Sequence, residues 1–340
     1  MKKALITGIT GQDGAYLAKL LIDKGYEVYG AMRRTSNLNL WRLEYLGISE
    51  KVKTIDFDLL EQSNILNVIK DIQPDEVYNL AAQSFVGTSF KQPLLTADTD
   101  AIGVLRILDA LKTFKIDAKF YQASTSEMFG KVQETPQKET TQFYPRSPYG
   151  VSKLFAHWMT INYKESYNMF CCSGILFNHE SPLRGPEFVT RKVCIKIAQF
   201  ILGINITPLE IGNMDSKRDW GYAKEYVEGM YLIMQESTPD NFILSTGETH
   251  TVREFIEKAF EYVGIKIKWE GKESEEIGIN IADGKTLIKV NPEFYRPSEV
   301  DLLIGDYTKA KTVLSWEPQT KFEDLVKLMT QAELNRLKNN

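Results

Sequence analysis

The chain has 340 residues, 43% hydrophobic and 25% charged, the composition of an ordinary soluble globular protein with enough apolar material for one large domain plus a smaller lobe, or for two domains. Its 41 Lys and Arg against 45 Asp and Glu leave a formal charge of −4 with no basic block, so the electrostatic footprint of a nucleic-acid binder is missing. No apolar run reaches the roughly 18 residues a bilayer span needs, and glycines at 8, 11 and 14 break the opening apolar run too early for a signal peptide, so a cytoplasmic protein without membrane or nucleic-acid partners is expected.

In chain order, Lys3–Thr7 reads as a buried strand, and Leu17, Leu20 and Leu21 recur at helical spacing until Gly25 stops the helix. Between them lies Thr7-Gly8-Ile9-Thr10-Gly11-Gln12-Asp13-Gly14, a glycine-rich turn in the strand-to-helix context that a dinucleotide fingerprint requires. Gly8, Gly11 and Gly14 permit the tight turn and close approach of backbone to a pyrophosphate, and Thr10, Gln12 and Asp13 complete the loop at a helix start whose free N–H groups favour negative charge. A plain glycine turn is the alternative.

The next strand, 26–32, ends in Arg33-Arg34-Thr35-Ser36, where an NAD binder usually carries an acid for the ribose hydroxyls. Guanidinium forks match a 2′-phosphate, so NADP is expected over NAD, the alternative being two solvated surface arginines. Further strands are expected at 52–56, 76–80, 120–123 and 172–176, with helices at 62–71, 98–114 and 149–166. Asp58-Leu59 then falls beside the adenine, and Leu80-Ala81-Ala82-Gln83-Ser84 on the nicotinamide side. This alternation describes an α/β fold, a doubly wound parallel Rossmann sheet with a smaller mixed α/β lobe.

Ser124-Thr125-Ser126 ends a strand and precedes Pro148-Tyr149-Gly150-Val151-Ser152-Lys153, which opens a helix with Tyr149 and Lys153 on one face. Tyr262/Lys266 and Tyr307/Lys311 share that spacing, but only Tyr149 stands in the nucleotide-binding half beside a hydroxyl run. A phenol acts as base at neutral pH only if a cation favours the phenolate, at roughly 4 kcal/mol for a pKa moved from about 10 to about 7; Lys153 and an oxidised nicotinamide can supply it. Thr125 and Glu127 point to the same side of the run, so Thr125 can hold an oxygen being oxidised while Glu127 reaches a neighbouring carbon. A carboxylate there can take a proton alpha to a new ketone and return it to a departing hydroxyl, which is a dehydration. A salt-bridged or solvated Glu is the alternative.

After Asn178 the chain is expected to form longer loops around Pro182, Pro186 and Pro208, then a helix at 223–235, a strand at 242–244 and a helix at 251–263. The segment 271–292, rich in Glu, Gly and Lys, reads as a surface excursion. The division expected is a cofactor domain of 1–177 that also receives roughly 216–245, and a substrate lobe of 178–215 and 246–340. Cys171, Cys172 and Cys194 fit neither a disulfide framework nor a metal site, and His157 and His250 read as structural or surface residues, so no metal is expected.

Taken together, Gly8 to Gly14, Asn79 to Ser84, Tyr121 to Gly130 with Pro145 to Lys153, Phe177-Asn178-His179-Glu180-Ser181-Pro182, Phe188 to Lys192, Lys217-Arg218-Asp219-Trp220 and Tyr295 to Asp301 resemble the GDP-mannose 4,6-dehydratase family of extended short-chain dehydrogenase/reductases. The resemblance implies an NADP-dependent lyase that converts GDP-D-mannose to GDP-4-dehydro-6-deoxy-D-mannose. It gives Tyr149, Thr125 and Lys153 the C4 oxidation and Glu127 the C5 proton and C6 water. It also implies His179 and Arg184 near the cofactor, Ser84 and Asn178 near the sugar and diphosphate, and Val189, Lys192, Arg218, Arg296 and Glu299 around the GDP moiety. A homotetramer is implied, with a dimer as the smaller alternative. Phe85 stands where many relatives have His, though shorter bacterial members also have Phe, and Leu95 stands where some have Tyr; these departures leave a GDP-manno-heptose dehydratase as the first alternative. A GDP-sugar 4-reductase and a non-catalytic nucleotide-binding module follow.

Overall fold

Leu5 and Ile6, neighbours on the first strand, are both fully buried on opposite faces of one sheet, as strand periodicity requires. The computed structural model describes residues 1–295, 300 and 302–338. Seven strands, β1 (Lys3–Thr7), β2 (Glu27–Met32), β3 (Lys53–Asp56), β4 (Glu76–Asn79), β5 (Lys119–Thr125), β6 (Cys171–Leu176) and β7 (Asn241–Leu244), pair in the order β3-β2-β1-β4-β5-β6-β7. Every neighbouring pair is parallel. The order reverses between β1 and β4, which opens a crevice at the carboxyl ends of these strands.

Two apolar layers cover the sheet. On one face Leu17 and Leu21 of α1 (Gln12–Asp23) pack with Ile6 and Leu244. On the other, Ile65 and Ile69 of α2 (Gln62–Ile72), Ile107 and Leu111 of α3 (Gly103–Thr113), and Ala156 and Tyr163 of α4 (Pro148–Tyr167) pack on Leu5, Val77 and Phe120. The helix expected at 98–114 begins instead as one π turn, Asp98–Ile102, before α3. Cys171, Cys172 and Cys194 are buried free thiols.

The later chain differs from the sequence reading most in two places. A helix, α5 (Val189–Ile201), occupies ground read as loop. The supposed excursion at 271–292 contains two strands, Ile277–Asn280 and Thr286–Val290, of a four-stranded sheet completed by Ile267–Glu270 and Leu209–Ile211. Leu287 and Ile288 are buried there against Val193 and Ile197 of α5, Phe255 of the helix Val252–Tyr262, and Leu325 and Met329 of the helix Phe322–Lys338. Among the described residues no helix is long and apolar enough to cross a membrane.

Candidate active site

The crevice is a cleft of about 1060 Å³ whose wall contains both the glycine turn and the Tyr149 helix. A line of buried side chains fixes its floor. Thr7 Oγ1 donates to Asn79 Oδ1 at 2.7 Å and accepts from the amides of Leu80 and Ala81, while Asn79 Nδ2 donates to Gln122 Oε1 at 2.8 Å. These bonds tie the loop after β4 to the ends of β1 and β5.

The turn after β1 is shaped for close approach. Gly8 has φ +71°, a conformation that L side chains rarely adopt, and a Cβ there would meet the Ala81 backbone at 2.9 Å. A Cβ on Gly14 would press on Gly8 O and come within 2.8 Å of Ile9 Cα. No side chain caps α1 at Gly11, so the first amides of the helix face the cleft with the positive end of the dipole. This glycine cradle fits a dinucleotide pyrophosphate, and Thr10, Gln12 and Asp13 line it.

Asp13 also turns inward. Its Oδ2 lies 2.8 Å from His179 Nε2, and His179 Nδ1 lies 2.7 Å from Phe177 O, so the ring faces an acceptor at each nitrogen and both must carry protons. Burial opposes a charged imidazole, but the charge and hydrogen bond of Asp13 outweigh it, and the His179 pKa rises. Burial likewise acts against the Asp13 carboxylate, yet His179 holds its pKa below the usual value. The ring stacks on Tyr226 with centroids 4.7 Å apart.

At the chemical end, Ser147 caps α4 by accepting from Gly150 N at 3.0 Å, and Pro148 occupies the first turn. That start places Tyr149 and Lys153 in the cleft wall with Thr125, the last residue of β5, and Glu127, in the single 3₁₀ turn Ser126–Met128. Thr125 Oγ1 accepts from Glu127 N at 3.2 Å, which fixes the two residues relative to one another. Lys153 Nζ donates to Ala123 O at 3.0 Å and stands 5.9 Å from the Tyr149 ring centroid. All four side chains are at most 8% exposed.

Within the chain itself the electrostatics oppose a phenolate. Burial and the charge of Asp100 push the Tyr149 phenol above its ordinary value, with the Thr125 hydrogen bond pulling the other way. Lys153 itself is lowered by burial, against the raising effect of Asp100. The chain alone therefore keeps Tyr149 protonated. His157, one turn further along α4, is neutral, with burial taking its pKa down to about 4, and it holds Ser124 Oγ through Nδ1 at 3.0 Å.

The remaining candidates divide. Leu80, Ala81, Ala82, Ser84, Asn178, His179, Arg184, Val189, Lys192 and Arg218 line the cleft. Arg184 stands 3.1 Å from Glu180 Oε2 and stacks on Phe188 at 3.6 Å, Lys192 Nζ donates to Glu210 O, and Arg218 donates to Val300 O. Arg33, Arg34, Thr35 and Ser36 are exposed on the loop after β2, outside that wall. Asp58 bonds Leu60 N and Leu59 is buried, also outside it, while Gln83 turns away to bond Thr96 Oγ1 and the Phe85 amide. Arg296 and Glu299 lie outside the described residues. His250 stacks on Phe322 at 3.7 Å, a structural contact.

Arg42 in the cleft wall and the buried Asp100 are among the groups that escaped the sequence reading. Arg42 lines the cleft, donates to Thr10 O at 2.7 Å and Leu183 O at 2.6 Å, and lies over Trp41; no motif marks it. Asp100 is 1% exposed and did leave a signal, since it falls in step with the buried Val104, Ile107 and Leu111 of the following helix.

Comparison with known proteins places this geometry. A UDP-glucose 4-epimerase structure from Thermotoga maritima superposes with TM-score 0.82 at 24% identity, covering 99% of this chain and 100% of that one. A dTDP-glucose 4,6-dehydratase from Bacillus anthracis, solved in complex with NAD, gives 0.80 at 18% identity over 99% and 98%. The fold is thus the doubly wound sheet with attached lobe of these enzymes. A family model described as GDP-mannose 4,6 dehydratase matches residues 5–329, and the GDP-mannose 4,6 dehydratase of Cricetulus griseus is 50% identical over all of this chain and 93% of its own length. The chain belongs to the GDP-mannose 4,6-dehydratase family.

Proposed function

We propose that the protein is a hydro-lyase that removes water from C5 and C6 of GDP-D-mannose to give GDP-4-dehydro-6-deoxy-D-mannose, with NADP as its cofactor. The observation that carries this reading is the convergence of Thr125, Glu127, Tyr149 and Lys153 in one cleft wall that also contains the glycine cradle. Segments 1–177 and 216–245 serve the cofactor, and 178–215 and 246–340 the GDP-sugar. Gly8 to Gly14 hold the pyrophosphate, Leu80 to Ala82 border the nicotinamide, and Arg33 and Arg34 meet the 2′-phosphate. A bound nicotinamide supplies a hydride acceptor for C4 at the outset and a hydride donor for C6 at the end, so the cofactor finishes as it began.

The residues do the proton work. Tyr149 takes the proton of the C4 hydroxyl once a positive charge stands beside it, and Thr125 holds that oxygen. The resulting ketone acidifies C5–H, Glu127 removes that proton, and the same carboxyl protonates the hydroxyl leaving C6. Lys192 and Arg218 neutralise the charge of the GDP diphosphate, with Asn178 and Ser84 on the sugar side. Apolar residues left open on α4, Val151, Phe155 and Trp158, and Leu94 on the short helix Pro93–Ala97 support self-association, which we assign to a homotetramer. Incubating the protein with GDP-mannose and no added NADPH tests the reading: a 4-keto product is expected, and its absence overturns it. A parallel incubation with GDP-manno-heptose decides the sugar, the faster substrate being the true one.

A further inference from the structure

Asp100 occupies a position that a neutral residue could fill more cheaply. It sits in the π turn Asp98–Ile102, a widened turn of a kind found often at functional sites, between the loop after β4 and the catalytic helix α4. Its Oδ1 accepts from Gln83 N at 2.7 Å, which steadies the loop carrying Ser84. Its Oδ2 is buried without a hydrogen-bond partner among the described residues. An asparagine would satisfy Gln83 equally well, so the hydrogen bond does not explain the charge, and an unpaired carboxylate oxygen away from water is costly.

The charge has a reader. The turn that carries Asp100 packs directly on α4, and among the described residues Lys153 on that helix is the cation acting on Asp100, while Asp100 is the leading carboxylate acting on Lys153. Lys153 makes one hydrogen bond among the described residues, to a neutral carbonyl, so in its buried site its ammonium depends on carboxylates that do not bond it, Asp100 ahead of Asp13. We infer that Asp100 is a positioning residue whose carboxylate is the buried counter-charge that keeps Lys153 an ammonium, and so sets the pH range over which Lys153 and Tyr149 act together. The inference rests on the catalytic reading of Tyr149 and Lys153 proposed above. It adds a member to the site that touches neither sugar nor cofactor.

The signs follow from the surroundings. Facing Asp100 and its two partners are Lys153 and Tyr149 from α4, Asp13 from the start of α1, Glu127 from the turn after β5 and Arg184 from the loop before α5. Burial raises the Asp100 carboxyl to about 6, with Lys153 and the Gln83 amide opposing. As an anion, Asp100 favours the charged form of Lys153 and opposes the phenolate of Tyr149, so it delays loss of both protons. Removing the charge lets both leave at lower pH.

The test is the pH profile of kcat/KM for dehydration in Asp100→Asn, which keeps the shape and an acceptor for Gln83 N. Both limbs are expected to move down by about one pH unit, with KM for the GDP-sugar near the wild-type value. A folded Asp100→Asn whose limbs coincide with wild type overturns the inference, because a purely structural Asp100 loses nothing when its acceptor is retained. Asp100→Ser, smaller and still an acceptor, carries the same readout if the amide misfolds. Tyr149→Phe separates the two claims: an inactive Tyr149→Phe with unmoved limbs in Asp100→Asn sinks the counter-charge alone, whereas an active Tyr149→Phe sinks the catalytic reading with it.

Discussion

The two ends of the cleft are built by different means. The cofactor end is made of backbone from consecutive residues, Gly8 to Gly14, braced by the buried Thr7–Asn79–Gln122 line. The end to which we assign the sugar nucleotide is made of side chains from separated segments, Asn178 and Arg218 on short strands and Val189 and Lys192 on α5. A backbone cradle binds what every dinucleotide shares. Side chains gathered from separate segments can be exchanged one at a time, and that is where substrate range is free to change.

Substitutions at each end should separate the two. The largest effects fall between them: Glu127→Gln should lower 4-keto product formation by about 10²–10⁴-fold while still allowing some bound NADPH to appear in the nicotinamide absorbance. Tyr149→Phe should abolish both signals.

At the cofactor end, Asp13→Asn should cost about 3 kcal/mol of stability, because it leaves the His179 charge unpaired. The pH dependence has a definite sign. Asp13 is lowered on folding, so its contribution is present above about pH 4 and lost as pH falls through its folded value. His179 is raised, so its contribution is complete below about pH 6.5 and lost as pH rises through its folded value. Thermal midpoints of wild type and Asp13→Asn should therefore differ most between about pH 4 and 6.5 and converge above that window.

Gly14→Ala should lower stability by about 1–3 kcal/mol and weaken cofactor binding, since its Cβ would push into Gly8 and Ile9; calorimetry and cofactor titration would read both. Replacing Arg33 and Arg34 together by Ala should cut the preference for NADP over NAD about tenfold, or about 1.4 kcal/mol, in paired dissociation constants. Equal affinities in the wild type would defeat the NADP assignment. At the other end, Lys192→Ala should raise KM for the GDP-sugar a few-fold at nearly constant kcat, the mark of binding shared by ground and transition states.

What the sequence made legible follows the same division. The β1 strand, the glycine turn and α1 are contiguous, and each carries a local signal, so they could be read in order. Tyr149 was separable from two other Tyr/Lys pairs by context alone. Arg42 was not legible, because its meaning comes from bonds to Thr10 and to Leu183, 141 positions away. The segment 271–292 was misread because Glu, Gly and Lys at its turns mask the short apolar stretch around Leu287 and Ile288, which is buried only by distant elements, α5, the helix Val252–Tyr262 and the last helix. Helix α5 was hidden for a related reason. Its buried stripe includes Arg191 and Lys196, charged residues whose burial depends on partners such as Glu333 and Thr207.

Trp41 ties these observations to the making of the protein. Arg42, Arg191 and Arg336 all lie over its ring, and Arg336, near the end of the last described helix, also donates to Pro182 O. A nascent chain can assemble most of the parallel sheet early, but the indole that backs Arg42 gains its last guanidinium only when that helix has left the ribosome. Until then the polypeptide holds a folded sheet with an unbraced cofactor wall, so ligand capture during synthesis should lag behind formation of the sheet.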